Sequence, residues 1–280
     1  MDTMHMFPLL YADLPKGLDF ISSVLTDYTN YWVGLDHAND IEEWTYNAMD
    51  SVVTLESALR IRQDLIDSKM WQYYQEHLHP LCFAVARLQQ NGVLIDQPAM
   101  DGLRKEYNEK LEVCETKIKI LAGGDFNPAS PKQVAKLLYE DQHLPAIERI
   151  CPGNPMHRKP TTDEEALRTL SARYPENTVL GLIIEHRKTS KLLNGFLSTR
   201  LSQDGRLRCS YNPSGTFGDR LSSSQNLFDE GTNLQNVPAG RSPGVENVRN
   251  VFVAPEGRSL VKVDMSQAEA RIVAWILARM

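Results

Sequence analysis

The chain has 280 residues, 42% of them hydrophobic, which is enough to bury a sizeable core across two or three domains. No apolar run approaches the roughly 20 residues of a membrane-spanning helix, no basic-then-apolar leader opens the chain, and four dispersed cysteines lack zinc-ligand or disulfide-framework spacing, so a cytosolic protein is expected. The formal net charge of −6 argues at first against a nucleic-acid-binding protein.

The charge is unevenly distributed along the chain. Residues 1–60 hold ten acidic and two basic side chains, a local net charge of −8. Residues 186–220 hold seven basic and two acidic side chains, a local net charge of +5. This asymmetry is typical of a protein with one phosphate-facing surface, although a solvated basic face without a partner gives the same pattern.

The first segment ends in a helix that the pattern predicts from Ile41 to about Ile66. Within it Tyr46 and Asp50 are four residues apart and therefore share one helix face. A second helix, from His79 to Gln90, is expected to end at the Asn91-Gly92 pair, since glycine favours the backbone conformation of a helix C-terminus.

A long amphipathic helix is predicted from Pro98 to the Gly123-Gly124 pair, after a short extended segment at 93–95. Its apolar residues recur three and four positions apart and predict a seam that packs on a neighbouring helix. These residues are Met100, Leu103, Tyr107, Leu111, Cys114, Ile118 and Leu121.

Local signals also organise residues 130–199. Ser130 and Pro131 are typical of the N-cap and first residue of a helix. Residues 148–160, rich in Pro, Gly and His, predict a loop, and Thr162 with Glu165 has the spacing of a capping box. The last helix of this part runs from about residue 177 to 199. Its basic residues are Arg187, Lys188 and Lys191.

Beyond the predicted turn at Asp204-Gly205 the pattern changes from helices to strands and loops. Strands are expected at Arg206–Asn212, Val248–Ala254 and Leu260–Val263. The chain therefore predicts a helical middle between two parts of mixed α and β structure.

Asp264 is a candidate for a catalytic carboxylate. It follows the predicted strand at 260–263, and a carboxylate at a strand end is a common way to hold Mg²⁺ against substrate phosphates. Ser266 is expected to begin the next helix, with Glu269 and Arg271 on its early turns. An aspartate at such a junction is, taken alone, more often a helix N-cap, so the residue pattern leaves both interpretations open.

The neighbouring residues resemble motifs of the family A DNA polymerases, the bacterial polymerase I and phage replicative type. Asp264-Met-Ser-Gln-Ala-Glu-Ala-Arg271 is similar to motif A of that family. Arg220-Leu-Ser-Ser223 and Asn233-Leu-Gln-Asn-Val-Pro238 are similar to the segment ahead of motif A, and Phe252-Val-Ala-Pro255 is similar to its Phe-x-Ala-Pro element. Asp219 departs from the pattern, because the family has glycine there.

This resemblance implies a role for each matching residue. Asp264 would bind both catalytic Mg²⁺ ions, and Glu269 would be the steric gate that excludes a ribose 2′-hydroxyl. Ser266, Gln267 and Glu269 would belong to the site of the incoming dNTP. The residues expected to contact primer-template DNA, through its phosphates or minor groove, are Arg187, Lys188, Lys191, Arg220, Ser222, Gln235, Asn236 and Arg271.

The N-terminal segment resembles the end of a 3′-to-5′ exonuclease domain, as in phage members of the family. Leu14-Pro-Lys-Gly-Leu-Asp19 and Tyr46-x-x-x-Asp50 carry this resemblance. It implies that Tyr46 orients an attacking water and that Asp50 holds a metal ion. The remaining exonuclease carboxylates would lie upstream of this chain. The fingers helix and the second palm carboxylate would lie beyond Met280.

The sequence therefore predicts an α+β fold in which a helical thumb joins the C-terminal end of an α/β 3′–5′ exonuclease domain to the N-terminal part of an antiparallel-sheet palm. The expected parts are residues 1–68, 69–200 and 201–280. The expected function is that of a partial DNA-directed DNA polymerase in DNA replication, inactive until a C-terminal fragment supplies the fingers and the remaining palm. A non-catalytic DNA-binding subunit is the alternative, and a nuclease is a third, less favoured hypothesis.

Overall fold

The computed structural model describes residues 1–33, 39–151, 154–216, 220–240 and 247–279, so Asp219 lies outside the described residues. Helices predominate, and the short strands of the described residues form small antiparallel sheets. Three clusters of buried hydrophobic side chains lie along the chain. Among the described residues, no helix is both long and apolar enough to cross a membrane.

The N-terminal part is built around α3 (Asp40–Asp67), which confirms the predicted helix at 41–66 to within one residue. Asn39 caps α3, because its side-chain oxygen accepts a hydrogen bond from the Glu42 backbone N–H at 3.0 Å. Two shorter helices, α1 (Thr3–Met6) and α2 (Leu18–Leu25), pack against α3. The largest side chains buried between them are Met6, Phe7, Ile21, Ile61 and Leu65.

After α4 (Trp71–Tyr73), the predicted helix at 79–90 is present as α5 (His79–Asn91). Gly92 ends α5 with a φ of +56°. A Cβ atom at this position would lie 2.7 Å from Cγ of Arg208 and 2.8 Å from the Leu207 carbonyl oxygen, so only glycine fits. The next residues form β1 (Val93–Ile95), as predicted.

The predicted amphipathic helix is α6 (Gln97–Ala122), and it packs on α9 (Thr178–Leu192). Gly123 ends α6 in the left-handed conformation, with a φ of +76°. Leu121 is the exception in the predicted seam, since it is 50% exposed. It borders a shallow cleft where Thr178 and Gly181 offer little side chain to cover it. The fully buried members of the seam are Met100, Tyr107, Cys114 and Ile118.

Between α6 and α9, Ser130 caps α7 (Pro131–Ala135) as predicted, and residues 136–141 continue as a wider helical turn. The loop predicted at 148–160 is wrong: β2 (Glu148–Cys151) and β3 (Asn154–Pro160) form an antiparallel hairpin. The hydrogen bonds between paired strands join backbone groups, so this segment forms strands although its side chains have low strand propensity.

The predicted capping box at Thr162 and Glu165 is also wrong by one residue. Helix α8 (Glu164–Arg173) is capped by Asp163, whose carboxylate accepts a hydrogen bond from the Ala166 backbone N–H at 2.9 Å. Thr162 is buried one residue earlier, and its carbonyl oxygen accepts a hydrogen bond from Arg187. Thr162 thus precedes the cap, and Asp163 supplies it.

Strand β1 is the centre of a three-stranded sheet with β4 (Arg206–Leu207) and β7 (Phe252–Val253) as its antiparallel neighbours. The strand predicted at 206–212 is interrupted, because β5 (Ser210–Asn212) leaves this sheet to pair with β6 (Ser222–Ser224). Of the strand predicted at 248–254, only β7 forms, and residues 248–251 are a 3-10 turn.

The strand predicted at Leu260–Val263 is not formed. Its valines are more than 80% exposed, and no strand of the described residues pairs with it, so the ladder that would define a strand is missing. Helix α10 (Ala268–Leu277) begins two residues after Ser266 and ends before Met280. Gln267 precedes it in the left-handed conformation, with a φ of +52°, and its side chain does not cap the helix.

Candidate nucleic-acid interface

Arg220 and Glu269 meet at the surface of the C-terminal part. The Arg220 guanidinium donates a hydrogen bond through Nη2 to Oε1 of Glu269, across 49 residues of sequence. The two side chains remain 75% and 80% exposed, so both stay accessible to a ligand. The structure thus brings together an expected DNA contact and the expected steric gate.

Thr216 holds the backbone of Arg220, which lies two residues before β6. The Thr216 hydroxyl accepts a hydrogen bond from the Arg220 backbone N–H at 3.0 Å and donates one to its carbonyl oxygen at 2.8 Å. Ser222 begins β6, directly after this loop. Together the two bonds fix the Arg220 backbone while its guanidinium stays exposed.

Gln235 lies beside the same segment. Its side-chain Nε2 donates to the Leu221 carbonyl oxygen at 2.7 Å. Asn233 fixes the turn that carries Gln235 and Asn236, since its side-chain oxygen accepts from the Ser223 hydroxyl at 2.7 Å and from the Gln235 backbone N–H at 3.1 Å. Gln235 and Asn236 are exposed. The structure therefore places Arg220, Ser222 and Gln235 close together along one surface.

Asp264 lies in the segment before α10, with an exposed side chain, as do Ser266, Gln267 and Arg271. Among the described residues, no group of three or more Asp, Glu, His or Cys side chains is arranged to hold a metal ion. Two adjacent Mg²⁺ ions need several oxygen ligands, so the described side chains do not fit a two-metal site.

The three basic residues expected to hold DNA from α9 differ in placement. Lys188 and Lys191 are exposed. Arg187 turns inward: its Nε donates to the Pro128 carbonyl oxygen at 3.0 Å and its Nη1 to the Thr162 carbonyl oxygen. Burial lowers the pKa of this guanidinium. Arg187 therefore anchors two loops to α9, and its side chain is only partly exposed.

The two lysines lie near one carboxylate, Glu164, in the first turn of α8. A hydrogen bond from Arg168 lowers the pKa of Glu164, and the charges of Lys188 and Lys191 lower it further. Glu164 is bonded to Arg168 at 2.7 Å, so neither lysine is held by it in an ion pair. Both ammonium groups are thus available to a phosphate backbone.

In the N-terminal part, Tyr46 and Asp50 share one face of α3 as predicted, but a third side chain joins them. Tyr31 donates its hydroxyl proton to Oδ1 of Asp50, and its ring centroid is 6.0 Å from that of Tyr46. Burial, followed by the contact with Asp50, raises the pKa of Tyr31. The carboxylate expected to bind a metal is thus an acceptor for tyrosine here.

Sequence reasoning missed Tyr31, because it lies 19 residues before Asp50 and matches no motif. The only local signal is the aromatic pair Tyr31-Trp32 in an otherwise polar segment, and the two rings pack edge to face with centroids 5.1 Å apart. Such a pair predicts a packing contact, not a partner for a carboxylate.

The sequence of this chain is similar to those of family A DNA polymerases. Residues 97–278 match the family model of DNA polymerase family A. The thermostable DNA polymerase I of Thermus filiformis is 31% identical over 238 residues, which cover 84% of this chain and 27% of that enzyme. DNA polymerase I of Pseudomonas aeruginosa is 34% identical over 202 residues, which cover 70% of this chain and 20% of that enzyme. The chain thus spans about a quarter of the length of these relatives.

The fold is similar to that of a solved structure, the polymerase domain of Pol1 from M. smegmatis in complex with DNA primer-template and dNTP. The TM-score is 0.71 at 21% sequence identity, and the match covers 91% of this chain and 41% of that chain. The likeness shows a shared mixed fold of helices and small antiparallel sheets.

Proposed function

The chain belongs to DNA polymerase family A, and we propose that it is a partial DNA-directed DNA polymerase that grips primer-template DNA and supplies one half of a nucleotide-addition site. In this proposal residues 69–200 are the thumb and residues 201–280 the first part of the palm. Residues 1–68 are the end of an exonuclease-like domain.

The contact between Arg220 and Glu269 is the observation that carries the proposal. Arg220 is the expected contact to the primer terminus, and Glu269 the expected gate for the incoming sugar. In template-directed synthesis the primer 3′-end and the incoming nucleotide must lie side by side. The contact between this arginine and this carboxylate, 49 residues apart in sequence, supports such a side-by-side arrangement.

The roles of the other palm and thumb residues in this scheme follow from the resemblance to the family. Glu269 would exclude a ribonucleotide by occupying the volume of the 2′-hydroxyl. Arg220, Gln235 and Asn236 would test the shape of the terminal base pair in the minor groove, where acceptors are alike in all correct pairs. Lys188 and Lys191 would hold duplex phosphates. Asp264 would be a metal ligand, and Ser266 and Gln267 would line the nucleotide site.

Asp264 alone does not make a two-metal site, so we infer no metal-dependent step for the chain by itself. Mg²⁺, where a second carboxylate is available, would neutralise the nucleotide phosphates and activate the primer 3′-hydroxyl. The proposal therefore includes a second fragment that carries the fingers and the remaining palm.

An exposed apolar surface supports such a partner. It comprises side chains of the segment before α10 and of α10 itself, all between 55% and 85% exposed: Val261, Val263, Ile272, Val273 and Trp275. Large apolar side chains that are exposed and close in sequence favour an interaction surface. The unpaired backbone at 260–263 offers edge groups to which a strand of the partner would add.

Primer extension by the purified chain, with and without a C-terminal polymerase fragment, tests the proposal. We expect extension only in the presence of both. Extension by the chain alone would contradict the need for a partner. Failure with the fragment, while primer-template binding persists, would favour the alternative of a non-catalytic DNA-binding subunit. The exposed, isolated Asp264 is the observation that favours that alternative.

A further inference from the structure

A cleft of about 450 Å³ lies between the end of α5, strand β4 and the turn that follows β7. Nine described residues line it; none is acidic or aromatic, and three are arginines: Arg206, Arg208 and Arg258. None of the residues assigned above to DNA or nucleotide binding lines this cleft. It is therefore a second, separate concentration of positive charge.

Arg208 is fixed as part of the wall of the cleft. Its Nε donates to the Gln90 carbonyl oxygen at 2.8 Å, and its two terminal nitrogens donate to the Asp204 carboxylate at 2.7 Å each. This fork holds the pKa of Asp204 down to about 2. Gly92 allows the aliphatic part of the Arg208 side chain to pass close to its backbone. A Cβ atom at residue 92 would lie 2.7 Å from Cγ of Arg208. Arg208 and Asp204 thus neutralise one another and form a scaffold.

Arg206 is held by the same scaffold but keeps part of its guanidinium free. Its Nη1 donates to the Asn91 carbonyl oxygen at 3.1 Å, and its Nε lies 3.7 Å from the Asp204 carboxylate. The side chain is 27% exposed, so it is ordered by these contacts before any ligand arrives. Such preorganisation lowers the entropic cost of binding.

Arg258 supplies the remaining charge. It ends the turn after β7, where its backbone N–H donates to the Pro255 carbonyl oxygen at 3.0 Å. Its side chain is exposed, and no carboxylate in the part of the chain that the structure describes lies within ion-pair distance of it. Asp204 pairs most closely with Arg208, which also feels the charge of Glu230, so Arg206 and Arg258 carry most of the free positive charge of the cleft.

We propose that this cleft binds phosphate groups, with the Arg258 guanidinium as the main contact and Arg206 as the second. A guanidinium fork matches two oxygens of one phosphate, and the two arginines offer two such groups along the cleft. The lining offers no aromatic face on which a base would stack, so the phosphates, not a base, are recognised. They come either from a free polyphosphate or from a nucleic-acid backbone.

Titration of the whole chain with two probes tests this site. Inorganic tripolyphosphate, measured by calorimetry, represents the free polyphosphate, and a fluorescein-labelled oligothymidylate, measured by anisotropy, represents the backbone. The variant is Arg258→Ala, which removes no hydrogen bond described here. Arg258→Lys keeps the charge and removes the fork. Arg87→Ala is the matched control, because Arg87 is exposed on α5 and does not line the cleft.

We expect Arg258→Ala to raise the Kd of at least one probe about tenfold, Arg258→Lys to have an intermediate effect, and Arg87→Ala to change neither Kd by more than about twofold. If Arg258→Ala raises the Kd of tripolyphosphate alone, the ligand of the cleft is a free polyphosphate. If it raises the Kd of the oligonucleotide alone, the ligand is a nucleic-acid backbone. The site is refuted if neither probe binds the wild type, or if Arg258→Ala and Arg87→Ala behave alike with both probes.

Discussion

Arg220 donates a hydrogen bond to the carboxylate of Glu269, and this contact joins two sequence blocks that lie 49 residues apart. Both side chains are largely exposed, and exposed ion pairs contribute only about 0–1 kcal/mol to stability. The pair is thus of little use in holding the fold together. Under the proposed function its value lies in position, because either partner can exchange the other for a ligand at little cost.

Replacing Arg220 by alanine should weaken primer-template binding. Loss of one charged contact is expected to raise Kd about tenfold, and the effect should shrink as salt is increased. Fluorescence anisotropy with a labelled primer-template measures it. Arg173→Ala, an exposed arginine at the end of α8, is the control and should change Kd by less than about twofold. Equal effects of the two substitutions would remove Arg220 from the DNA contacts.

Glu269→Ala should reduce discrimination against ribonucleotides in the complemented enzyme. The substitution removes the side chain that is proposed to occupy the space of the ribose 2′-hydroxyl. We therefore expect discrimination against ribonucleotides to fall at least about tenfold. The ratio of kcat/KM for a dNTP and its ribonucleotide measures this effect. Glu256→Ala, also exposed, should leave the ratio unchanged. An unchanged ratio in Glu269→Ala would refute the gate assignment.

Arg187→Met should destabilise the fold without acting through DNA. The substitution leaves the Pro128 and Thr162 carbonyl oxygens without their donor, which is expected to cost about 2–3 kcal/mol. Urea unfolding gives the free energy of unfolding, and Lys188→Met, on the exposed side of α9, should change it by less than about 0.5 kcal/mol. A stable Arg187→Met protein with reduced DNA affinity would restore Arg187 to the phosphate contacts.

Asp204 should make the free energy of unfolding depend on pH in the acid range. Its pKa is held to about 2 in the folded chain by Arg208, below the value of about 3.9 expected in the unfolded chain. The carboxylate thus stabilises the fold above pH 4, and this contribution is lost as the pH falls from about 4 to about 2. The difference in unfolding free energy between wild type and Asp204→Asn should be largest near pH 6, shrink steeply between pH 4 and pH 2, and vanish only below pH 2. A difference that does not vary with pH would contradict this account.

The longest helices could be predicted because their signals are local. In α6 an apolar residue every three or four positions fixes the buried face, and Gly123 ends the helix. In α3 the bounds follow from a polar cap and a continuous helical pattern. Ser130 likewise caps α7 from its own segment. Each of these features depends on residues fewer than five positions apart.

The remaining features depend on contacts that no local pattern encodes. The hairpin at 148–160 arises from backbone pairing, and Leu260–Val263 stays unpaired because a strand needs a neighbour. The bond from Tyr31 to Asp50 joins residues 19 positions apart, and the position of the Arg187 guanidinium depends on two loops that come to it from elsewhere. The motif residues themselves were identified by their resemblance to the family. The contact between Arg220 and Glu269 could not be predicted from the sequence, because it depends on the fold.

The most direct test of the central claim is primer extension by the chain together with a C-terminal polymerase fragment, comparing wild type with Asp264→Ala. If Asp264 is the metal ligand of a partial polymerase, extension should fall about 100-fold or more while the Kd for primer-template changes by less than about twofold. Asp141→Ala, an exposed carboxylate outside the palm, should match wild type. Extension that is undiminished in Asp264→Ala, or lost only because DNA binding is lost, would contradict the account.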